Sequence, residues 1–384
     1  MEILVVLEEY IQGISVKDIF SDTHQYSGGI GRLTVFNEIR KILEGRIYIY
    51  GNIAKDTCGN VSSINDLEGI NPDVIIYNNP PTLKSLLKFH VRYPNAKKII
   101  WFGNPIKKYM LGYLYLNLID EFVCVSKYHK SIYNEFKIKE RISYIYSGTN
   151  IKENNVKIEQ KDQNKYCWIS APVKSKGIQN LFSLWEAILS INSSAKLDLF
   201  GSLGLHGGDE NKIFQDDIAK LAAKYFEDPA FANSVKIRGL VSKSELYACI
   251  AESRYCIVNL NYEGSFETFC ASAIEAQQLG CCVIGGDYGS LPEVTMPGIS
   301  SILLRRSDFQ QRERLLRKLS QKLKQNFVIP VELTSQYEIA KIWCDRFRTS
   351  RPRYRYPSLR DVILILGSAM IEVFRDRYVF QRKK

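Results

Sequence analysis

Two glutamates stand eight residues apart within residues 261–294, NYEGSFETFCASAIEAQQLGCCVIGGDYGSLPEV. They are Glu267 and Glu275, and the pattern predicts a helix from about Thr268 to Gln278 that places one carboxylate at its start and the other two turns later. At a rise of 1.5 Å per residue they would lie ~12 Å apart along the axis. That is about the reach of a sugar joined to a nucleoside through a diphosphate. The alternative is ordinary capping, with Glu267 stabilising the helix N-terminus and Glu275 facing solvent.

The start of this helix suits an anion. The first backbone N–H groups of a helix lack partners within it, and the helix dipole is positive at that end. We therefore predict that the backbone at Thr268, Phe269 and Cys270 contacts a diphosphate. Glu267 and Glu275 would then accept hydrogen bonds from sugar hydroxyls at either end.

Two other loops carry residues suited to phosphate. SGGIGR at residues 27–32 follows the first predicted strand, and its glycines Gly28 and Gly29 permit close backbone approach while Arg32 adds positive charge. The alternative for this loop is a plain glycine-rich turn between strand and helix. The second loop carries Lys174 and Lys176, whose alternative is ordinary solvated lysine.

The elements that must position these residues form two series of short apolar runs. Continuous apolar runs separated by helical segments predict parallel strands covered on both faces. In such α/β sheets ligands bind beyond the carboxyl ends of the strands. The first series contains ILVVL (3–7), RIYIY (46–50), DVIIY (73–77), KIIWF (98–102), EFVCV (121–125) and ISYIY (142–146). The second contains YCWIS (166–170), KLDLF (196–200), VKIRG (235–239), YCIVNL (255–260), CCVIGG (281–286) and SSILL (300–304).

Two polar or proline-containing segments mark the domain boundaries. Residues 150–165 lack apolar periodicity and are predicted to be a linker, and residues 327–332 form a second junction. The prediction is an N-terminal domain over residues 1–150, a C-terminal domain over 151–335 and a helical basic tail over 336–384.

The phrase ETFCASAIEAQQLGCCVIGG…GSLPEV resembles the E-x7-E signature of the retaining GT-B glycosyltransferases of group 1, or family 4. SGGIGR and the two strand series occur in the order typical of that family. The resemblance implies an α/β GT-B fold, with two Rossmann-like, doubly wound domains facing across a cleft and a C-terminal helix returning to the N-terminal domain. It also implies transfer of a sugar from a nucleotide-diphosphate sugar to a hydroxyl of a glycan or lipid-linked oligosaccharide, in cell-surface polysaccharide or glycoconjugate biosynthesis.

The resemblance further implies a role for individual residues. Glu267 would orient the transferred sugar and stabilise charge at its ring, and Glu275 would hold the ribose. Lys176 would neutralise the diphosphate, and the main chain at Gly239 and Leu240 would hold the base.

The sequence departs from the family pattern at two places. Where the family has a phosphate-binding arginine, this chain has Ser170 or Ala171, and either Lys174 or the backbone there is left to replace it. Where many members have a histidine, residues 101–108 offer Asn104. His24 and His129 are the other candidate imidazoles, so no catalytic base is assigned.

The composition bounds the class of protein. The 384 residues are 45% hydrophobic, which excludes a disordered chain or a small disulfide scaffold. The nine cysteines form no C-x-x-C pair and are expected to be buried, reduced thiols. No D-x-D triplet occurs, so we expect a metal-independent site without a cofactor. Neither a UDP-sugar nor a GDP-sugar is specified as the donor.

The formal charge of +11 is concentrated near the end of the chain. Residues 348–384 hold ten Lys or Arg and three Asp or Glu, so ten minus three gives +7. Such a segment suits an anionic membrane surface, and the alternative is that its apolar face packs on the N-terminal domain. The start of the chain resembles a strand rather than a signal peptide, which predicts a cytoplasmic protein, peripheral on the inner face of a membrane. No nucleic-acid partner is expected, because no nucleic-acid-binding motif is present.

An alternative function is a catalytically silent GT-B scaffold that binds a nucleotide or a partner protein. The missing arginine and histidine are the features that favour it. Activity of the wild-type chain and its loss on replacement of Glu267 would separate the two hypotheses.

Overall fold

The structure is a computed structural model of the chain. It describes residues 1–7, 15–20, 31–51, 53–148, 151, 161–170, 174–201, 222–239, 241–262, 267–323, 325, 335–349, 363 and 367. The described residues belong to two compact units. Of the described residues, those within 1–20, 31–148 and 336–367 belong to the N-terminal unit, and those within 151–335 belong to the C-terminal unit.

An eight-stranded sheet forms the centre of the N-terminal unit. Its strand order is β3-β4-β2-β1-β5-β6-β7-β8, and all pairings are parallel except that of β3 with β4. The strands are β1 (Glu2–Leu7), β2 (Arg46–Tyr50), β3 (Thr57–Cys58), β4 (Val61–Ile64), β5 (Val74–Asn78), β6 (Lys97–Trp101), β7 (Glu121–Cys124) and β8 (Ile142–Tyr144).

The central strands of this sheet are buried on both faces. Every residue of β5, β6 and β7 is buried, which explains their continuous apolar sequences. The helices of this part of the chain are α1 (Val16–Phe20), α2 (Val35–Ile42), α3 (Leu83–Arg92), α4 (Gly112–Tyr115) and α5 (Lys127–Ser131). Helix α3 begins where the Thr82 hydroxyl accepts the Ser85 N–H at 3.2 Å, a side-chain N-cap.

A six-stranded parallel sheet forms the centre of the C-terminal unit, in the order β11-β10-β9-β12-β13-β14. Chain order therefore runs outward from β9 in one direction and from β12 in the other, which is the doubly wound arrangement. The strands are β9 (Asp162–Ile169), β10 (Lys196–Phe200), β11 (Val235–Gly239), β12 (Ser253–Ile257), β13 (Cys282–Gly286) and β14 (Ser301–Leu304).

Helices follow most strands of this sheet, as parallel connections require. The long helix α6 buries an apolar face that includes Leu181, Trp185 and Ile188 against the sheet. The helices are α6 (Ile178–Ile191), α7 (Pro229–Ser234), α8 (Lys243–Glu252), α9 (Ala271–Gln278), α10 (Leu291–Val294), α11 (Arg306–Gln310) and α12 (Arg312–Lys322).

A further helix, α13 (Gln336–Arg348), belongs to the N-terminal unit and packs against α2. Its Trp343 is fully buried, with its ring centroid 4.9 Å from that of Trp101 in β6. The aromatic contact holds α13 on the sheet, although the helix is remote in sequence from β6.

A buried charge cluster secures the end of α13. The Lys97 ammonium donates to the Arg346 carbonyl at 2.8 Å and to the Thr349 hydroxyl at 2.7 Å. The Glu121 carboxylate lies 2.9 Å from the Arg346 guanidinium and 3.8 Å from the Lys97 ammonium. Burial lowers the pKa of Lys97, and the Glu121 charge opposes that shift.

The predicted α/β architecture with two doubly wound parallel sheets is confirmed. The short strands β3 and β4 were not predicted, because two to four residues at a sheet edge carry little apolar signal. The nine cysteines are unbridged and all but Cys58 are buried. Among the described residues, no helix is long and apolar enough to cross a membrane.

Candidate functional site

The candidate site lies where strand order reverses in the C-terminal sheet. Strands β9 and β12 are neighbours there, and ligands of open α/β sheets bind beyond the carboxyl ends of such a pair. The chain after β9 leads to Lys176, and the chain after β12 leads through Asn259 to Glu267. The topology therefore brings two loops together that are far apart in sequence.

Gly177 allows these two loops to touch. Its φ is +84°, and a Cβ built on it would lie 2.4 Å from the backbone carbon of Leu260. Backbone bonding holds the contact, since the Leu260 N–H donates to the Lys176 carbonyl at 3.0 Å. The Asn180 side chain adds a 2.8 Å bond to the Leu260 carbonyl. Both the positive φ and the close approach require glycine here.

Lys176 and Glu267 meet across this contact. The Lys176 ammonium lies 3.4 Å from Glu267 Oε2, with the lysine side chain 35% exposed and the glutamate side chain 9% exposed. The same oxygen accepts a hydrogen bond from the side-chain amide of Asn259. The structure thus brings together the two residues predicted to be catalytic, and places a partly accessible cation beside a buried carboxylate.

The backbone of Glu267 is held from the other side by the turn after β13. The Ser290 N–H donates to the Glu267 carbonyl at 2.8 Å. Gly289 has φ +63°, and a Cβ there would lie 2.5 Å from the same carbonyl oxygen. Gly289 of GSLPEV is therefore needed for a structural purpose, because only a residue without a side chain lets this turn approach Glu267 so closely.

The helix after Glu267 begins later than predicted. Helix α9 begins at Ala271, whereas the sequence pattern predicted a start at about Thr268. Glu267, Thr268, Phe269 and Cys270 form a non-helical connection before it. The predicted ~12 Å spacing along a single helix axis is therefore wrong, because the bond from Ser290 to the Glu267 carbonyl holds this stretch out of the helix.

Glu275 lies on α9 and is contacted from α8. The Tyr247 hydroxyl donates to Glu275 Oε1 at 2.8 Å, and the Lys243 ammonium lies 5.3 Å from the centre of the Tyr247 ring. Burial raises the pKa of Glu275, and both the Lys243 charge and the Tyr247 hydrogen bond oppose that shift. Glu275 is thus an oriented hydrogen-bond acceptor.

The other predicted donor-binding residues of this unit lie in the turn that carries Lys176 and at the end of β11. Lys174 is exposed in the short turn that also carries Lys176. Gly239 ends β11 with φ +68° and accepts the Gly201 N–H at 2.9 Å, and Leu240 lies outside the described residues. Ser170 stands at the position without an arginine, and its carbonyl accepts the Trp168 indole N–H at 3.1 Å.

In the N-terminal unit, Arg32 lies at the carboxyl end of β5. Its guanidinium donates to Asn78 at 3.1 Å and to Asn79 at 2.7 Å, and it lies 5.6 Å from the centre of the Trp101 ring. A Cβ at Gly103 would lie 2.3 Å from the same guanidinium. Arg32 is thus held beside the loop that carries the exposed Asn104. His24, Gly28 and Gly29 lie outside the described residues.

His129, the other imidazole considered for a catalytic role, is fully buried at the start of α5. The Val125 N–H donates to His129 Nδ1 at 3.4 Å. Because a backbone N–H can only donate, Nδ1 carries no proton. Burial, assisted by the Arg32 charge, lowers the pKa of His129 to about 3. The imidazole is therefore neutral and packed against Phe102, with centroids 4.8 Å apart.

This burial predicts an acid-sensitive contribution to stability. Because the pKa of His129 is about 3 in the folded chain and about 6.5 in the unfolded chain, only the unfolded state gains the proton as pH falls below about 6.5. Between about pH 7.5 and pH 5, the wild type should lose ~2 kcal/mol of unfolding free energy through this group. His129→Leu should remove that part of the loss. Urea unfolding at both pH values measures it, and an equal loss in both proteins would contradict the burial argument.

Three residues of the site were not predicted from the sequence. Asn259 contacts Glu267, Tyr288 contacts Asn259, and Tyr247 contacts Glu275. The available signal was position, since Asn259 and Tyr288 each stand two residues beyond the end of a central strand.

A separate pocket of about 470 Å³ lies along the edge strand β14 and does not include Lys176 or Glu267. Its basic side chains are partly neutralised by acids of the same pocket, since Asp308 pairs with Arg314 and Lys318, each at 2.8 Å. Elsewhere in the described ranges, no group of three or more His, Cys, Asp or Glu side chains is arranged to hold a metal ion.

Comparison with known structures establishes the fold. A glycosyltransferase from Rickettsia africae has 17% identity and a TM-score of 0.62, covering 90% of this chain and 97% of that chain. HepE from Anabaena, in complex with UDP and glucose, has 13% identity and a TM-score of 0.59, covering 90% and 99%. TarM from S. aureus, in complex with fondaparinux, alpha-GlcNAc-glycerol and UDP, has 17% identity and a TM-score of 0.53, covering 74% and 57%. No curated protein sequence matches the chain.

A protein-family model, "Glycosyl transferases group 1", matches residues 150–327. That range contains strands β9 to β14 and both Lys176 and Glu267. Residues 150–327 are therefore similar to a group 1 glycosyltransferase domain, and the chain has the GT-B fold of the glycosyltransferase structures that it matches.

Proposed function

We propose that the protein transfers a sugar, with retention of configuration, from a nucleotide-diphosphate sugar to a hydroxyl of a glycan or lipid-linked acceptor. The observation that carries this proposal is the contact between Lys176 and Glu267 at the strand-order reversal of the C-terminal sheet. A cation suited to a diphosphate and a carboxylate suited to a sugar stand side by side there.

Each residue of this site contacts a different part of the donor. Lys176 neutralises charge on the departing diphosphate, and its three N–H groups let it bind phosphate oxygens while it keeps Glu267 as a neighbour. Glu267 orients the transferred sugar and stabilises positive charge at its ring. Glu275, oriented by Tyr247, accepts the ribose hydroxyls, and the main chain around Gly239 and Leu240 contacts the base.

The transfer proposed here needs no separate protein base. The acceptor oxygen forms its bond on the face of the sugar from which the diphosphate leaves, and the diphosphate takes both the electron pair and the acceptor proton. The buried, neutral His129 supports this arrangement, because its imidazole is packed in the protein interior. We further propose that the reaction is metal-independent, with Lys176 and the backbone before α9 stabilising the diphosphate.

The donor of the proposed reaction is a nucleotide-diphosphate sugar. Because HepE and TarM were determined with UDP, UDP-sugars are the first candidates, ahead of GDP-sugars.

We propose a cytoplasmic enzyme of cell-surface polysaccharide or glycoconjugate biosynthesis, held at an anionic membrane surface by residues 348–384. Its support is the +7 charge of ten basic and three acidic residues in that segment, which lies almost entirely outside the described residues. Flotation with anionic but not neutral vesicles would test this attachment.

A panel of UDP- and GDP-sugars tests the function. A true donor should be hydrolysed slowly without acceptor and should raise the melting temperature, because a ligand that binds only the folded state stabilises it. The anomeric configuration of the product, read by NMR, tests retention. Stabilisation by a nucleotide sugar without any turnover would instead favour the catalytically silent scaffold.

Lys176→Met should raise the KM for the donor about tenfold or more, because a charge-assisted contact with the diphosphate is lost. Lys174→Met is the matched control, since it removes the same charge from an exposed position of the same turn. Steady-state kinetics with a donor identified by the panel measures both. Equal donor KM values for Lys176→Met and wild type would remove Lys176 from the site, and an equal rise in both variants would assign Lys174 a share of the phosphate charge.

A further inference from the structure

Asn259 is buried two residues beyond β12, between Glu267 and Tyr288. It is 4% exposed, and both ends of its side-chain amide are hydrogen-bonded. Its Nδ2 donates to Glu267 Oε2, and its Oδ1 accepts from the Tyr288 hydroxyl. Tyr288, which follows β13, thus holds Asn259 in place beside Glu267.

The orientation of this amide follows from its partners. The Asn261 backbone N–H donates to Asn259 Oδ1 at 3.2 Å, and a backbone N–H cannot accept. The oxygen must therefore face Asn261, which turns Nδ2 toward Glu267. The Tyr288 hydroxyl then has to be a donor to Oδ1, which leaves one arrangement of donors through the three side chains.

The donors to Glu267 converge on a single oxygen. Asn259 Nδ2 and Lys176 Nζ, the latter at 3.4 Å, both point at Oε2. Within the described part of the chain, the other carboxylate oxygen, Oε1, accepts no hydrogen bond. The arrangement fixes the rotation of the carboxylate and leaves one oxygen for a ligand.

We propose that Asn259, supported by Tyr288, is a positioning residue of the sugar site that fixes the orientation of the Glu267 carboxylate and directs its Oε1 at the transferred sugar. This inference rests on the proposed transfer function. The Tyr288 ring packs beside that of Tyr262, with centroids 5.3 Å apart. This contact restricts the ring and so holds the Tyr288 hydroxyl in position to donate to Asn259. Asparagine suits position 259 because its side-chain amide combines an acceptor for Tyr288 and Asn261 with a donor for the Glu267 carboxylate.

Tyr288→Phe tests whether Tyr288 supports Asn259, because it deletes the hydroxyl that donates to Asn259 and keeps the ring contact with Tyr262. We expect kcat to fall about tenfold while the Kd for UDP, which lacks the sugar, stays within about twofold. Tyr262→Phe is the matched control, since the Tyr262 hydroxyl donates to the Leu304 carbonyl at 2.6 Å and does not contact Asn259 or Glu267. It should keep kcat within about twofold of the wild type, and a comparable melting temperature for both variants excludes simple unfolding.

Asn259→Asp tests the donor directly. It replaces the N–H donor by a second carboxylate beside Glu267, and two carboxylates that close together cannot both ionise easily. We expect kcat to fall about 100-fold at neutral pH and part of it to return on acidification, giving a pH profile that the wild type lacks.

The outcomes separate this inference from the proposed function. Wild-type turnover with unchanged kcat and pH profile in Tyr288→Phe and Asn259→Asp would overturn the positioning role and leave the function standing. A rise in the Kd for UDP that accounts for the whole loss would also overturn it, because a positioning effect on the sugar acts on kcat. A wild-type chain without turnover on the whole donor panel would contradict the proposed function, and this inference with it.

Discussion

Replacing Glu267 by glutamine is expected to lower kcat for sugar transfer by about 10²–10³-fold, the usual loss when one preorganised electrostatic group is removed from a transition state. Glutamine keeps the shape of the side chain but not its charge. The buried carboxylate, 8% exposed as a residue, faces the Lys176 ammonium at 3.4 Å. Because charge develops on the sugar ring only as the diphosphate leaves, the loss should appear in kcat more than in the Kd for the donor.

The matched control for this change is Glu252→Gln. Glu252 also pairs with a lysine of the same unit, Lys165, but its side chain is 66% exposed and lies at the end of α8. Exposed ion pairs contribute little, so this variant should keep kcat within about twofold of the wild type. Single-turnover transfer under saturating donor measures both. Retention of more than about a fifth of the wild-type rate by Glu267→Gln would contradict the catalytic role of Glu267.

Replacing Trp343 by alanine is expected to lower the unfolding free energy by about 3–5 kcal/mol, the range for removal of a buried aromatic side chain. Trp343 is fully buried in α13, against Trp101 at 4.9 Å and Phe347 at 5.5 Å between ring centroids. Its loss would leave a cavity between the helix and β6. The cavity would also loosen Trp101, over which the Arg32 guanidinium lies.

Ile342→Ala is the matched control for this change. Ile342 precedes Trp343 on the same helix, yet it is 47% exposed and should change the unfolding free energy by less than about 1 kcal/mol. Urea unfolding followed by tryptophan fluorescence and by circular dichroism measures both variants. A Trp343→Ala midpoint no lower than that of Ile342→Ala would show that α13 contributes little to the stability of the N-terminal unit.

Much of the fold was predictable from the sequence, because burial leaves a local record. Runs such as ILVVL and CCVIGG are apolar throughout, and the structure buries them as β1 and β13 with parallel neighbours on both sides. The short strands β3, at the sheet edge, and β4 beside it carry a weaker apolar signal and were not predicted. Helix starts are also weakly encoded, and α9 begins at Ala271 because a tertiary hydrogen bond from Ser290 holds the preceding residues.

The candidate site was predictable in part. The resemblance to the group 1 family identified Glu267 and Lys176, and the structure places their charged groups 3.4 Å apart. The neighbours of Glu267 were not predictable, because Asn259 and Tyr288 carry no motif of their own. Their roles arise from which strand ends stand side by side.

Two doubly wound α/β sheets were predictable from the residues alone, since the apolar periodicity of each strand and helix is a local property. The same local pattern indicated a carboxylate and a lysine in loops that follow strands. The three-dimensional fold was needed to show that β9 lies beside β12, that Gly177 lets their loops touch, and that one oxygen of Glu267 accepts from both Asn259 and Lys176. Such a hydrogen bond depends on the distance and direction between groups that are remote in the chain, and strand order, not local sequence, sets both.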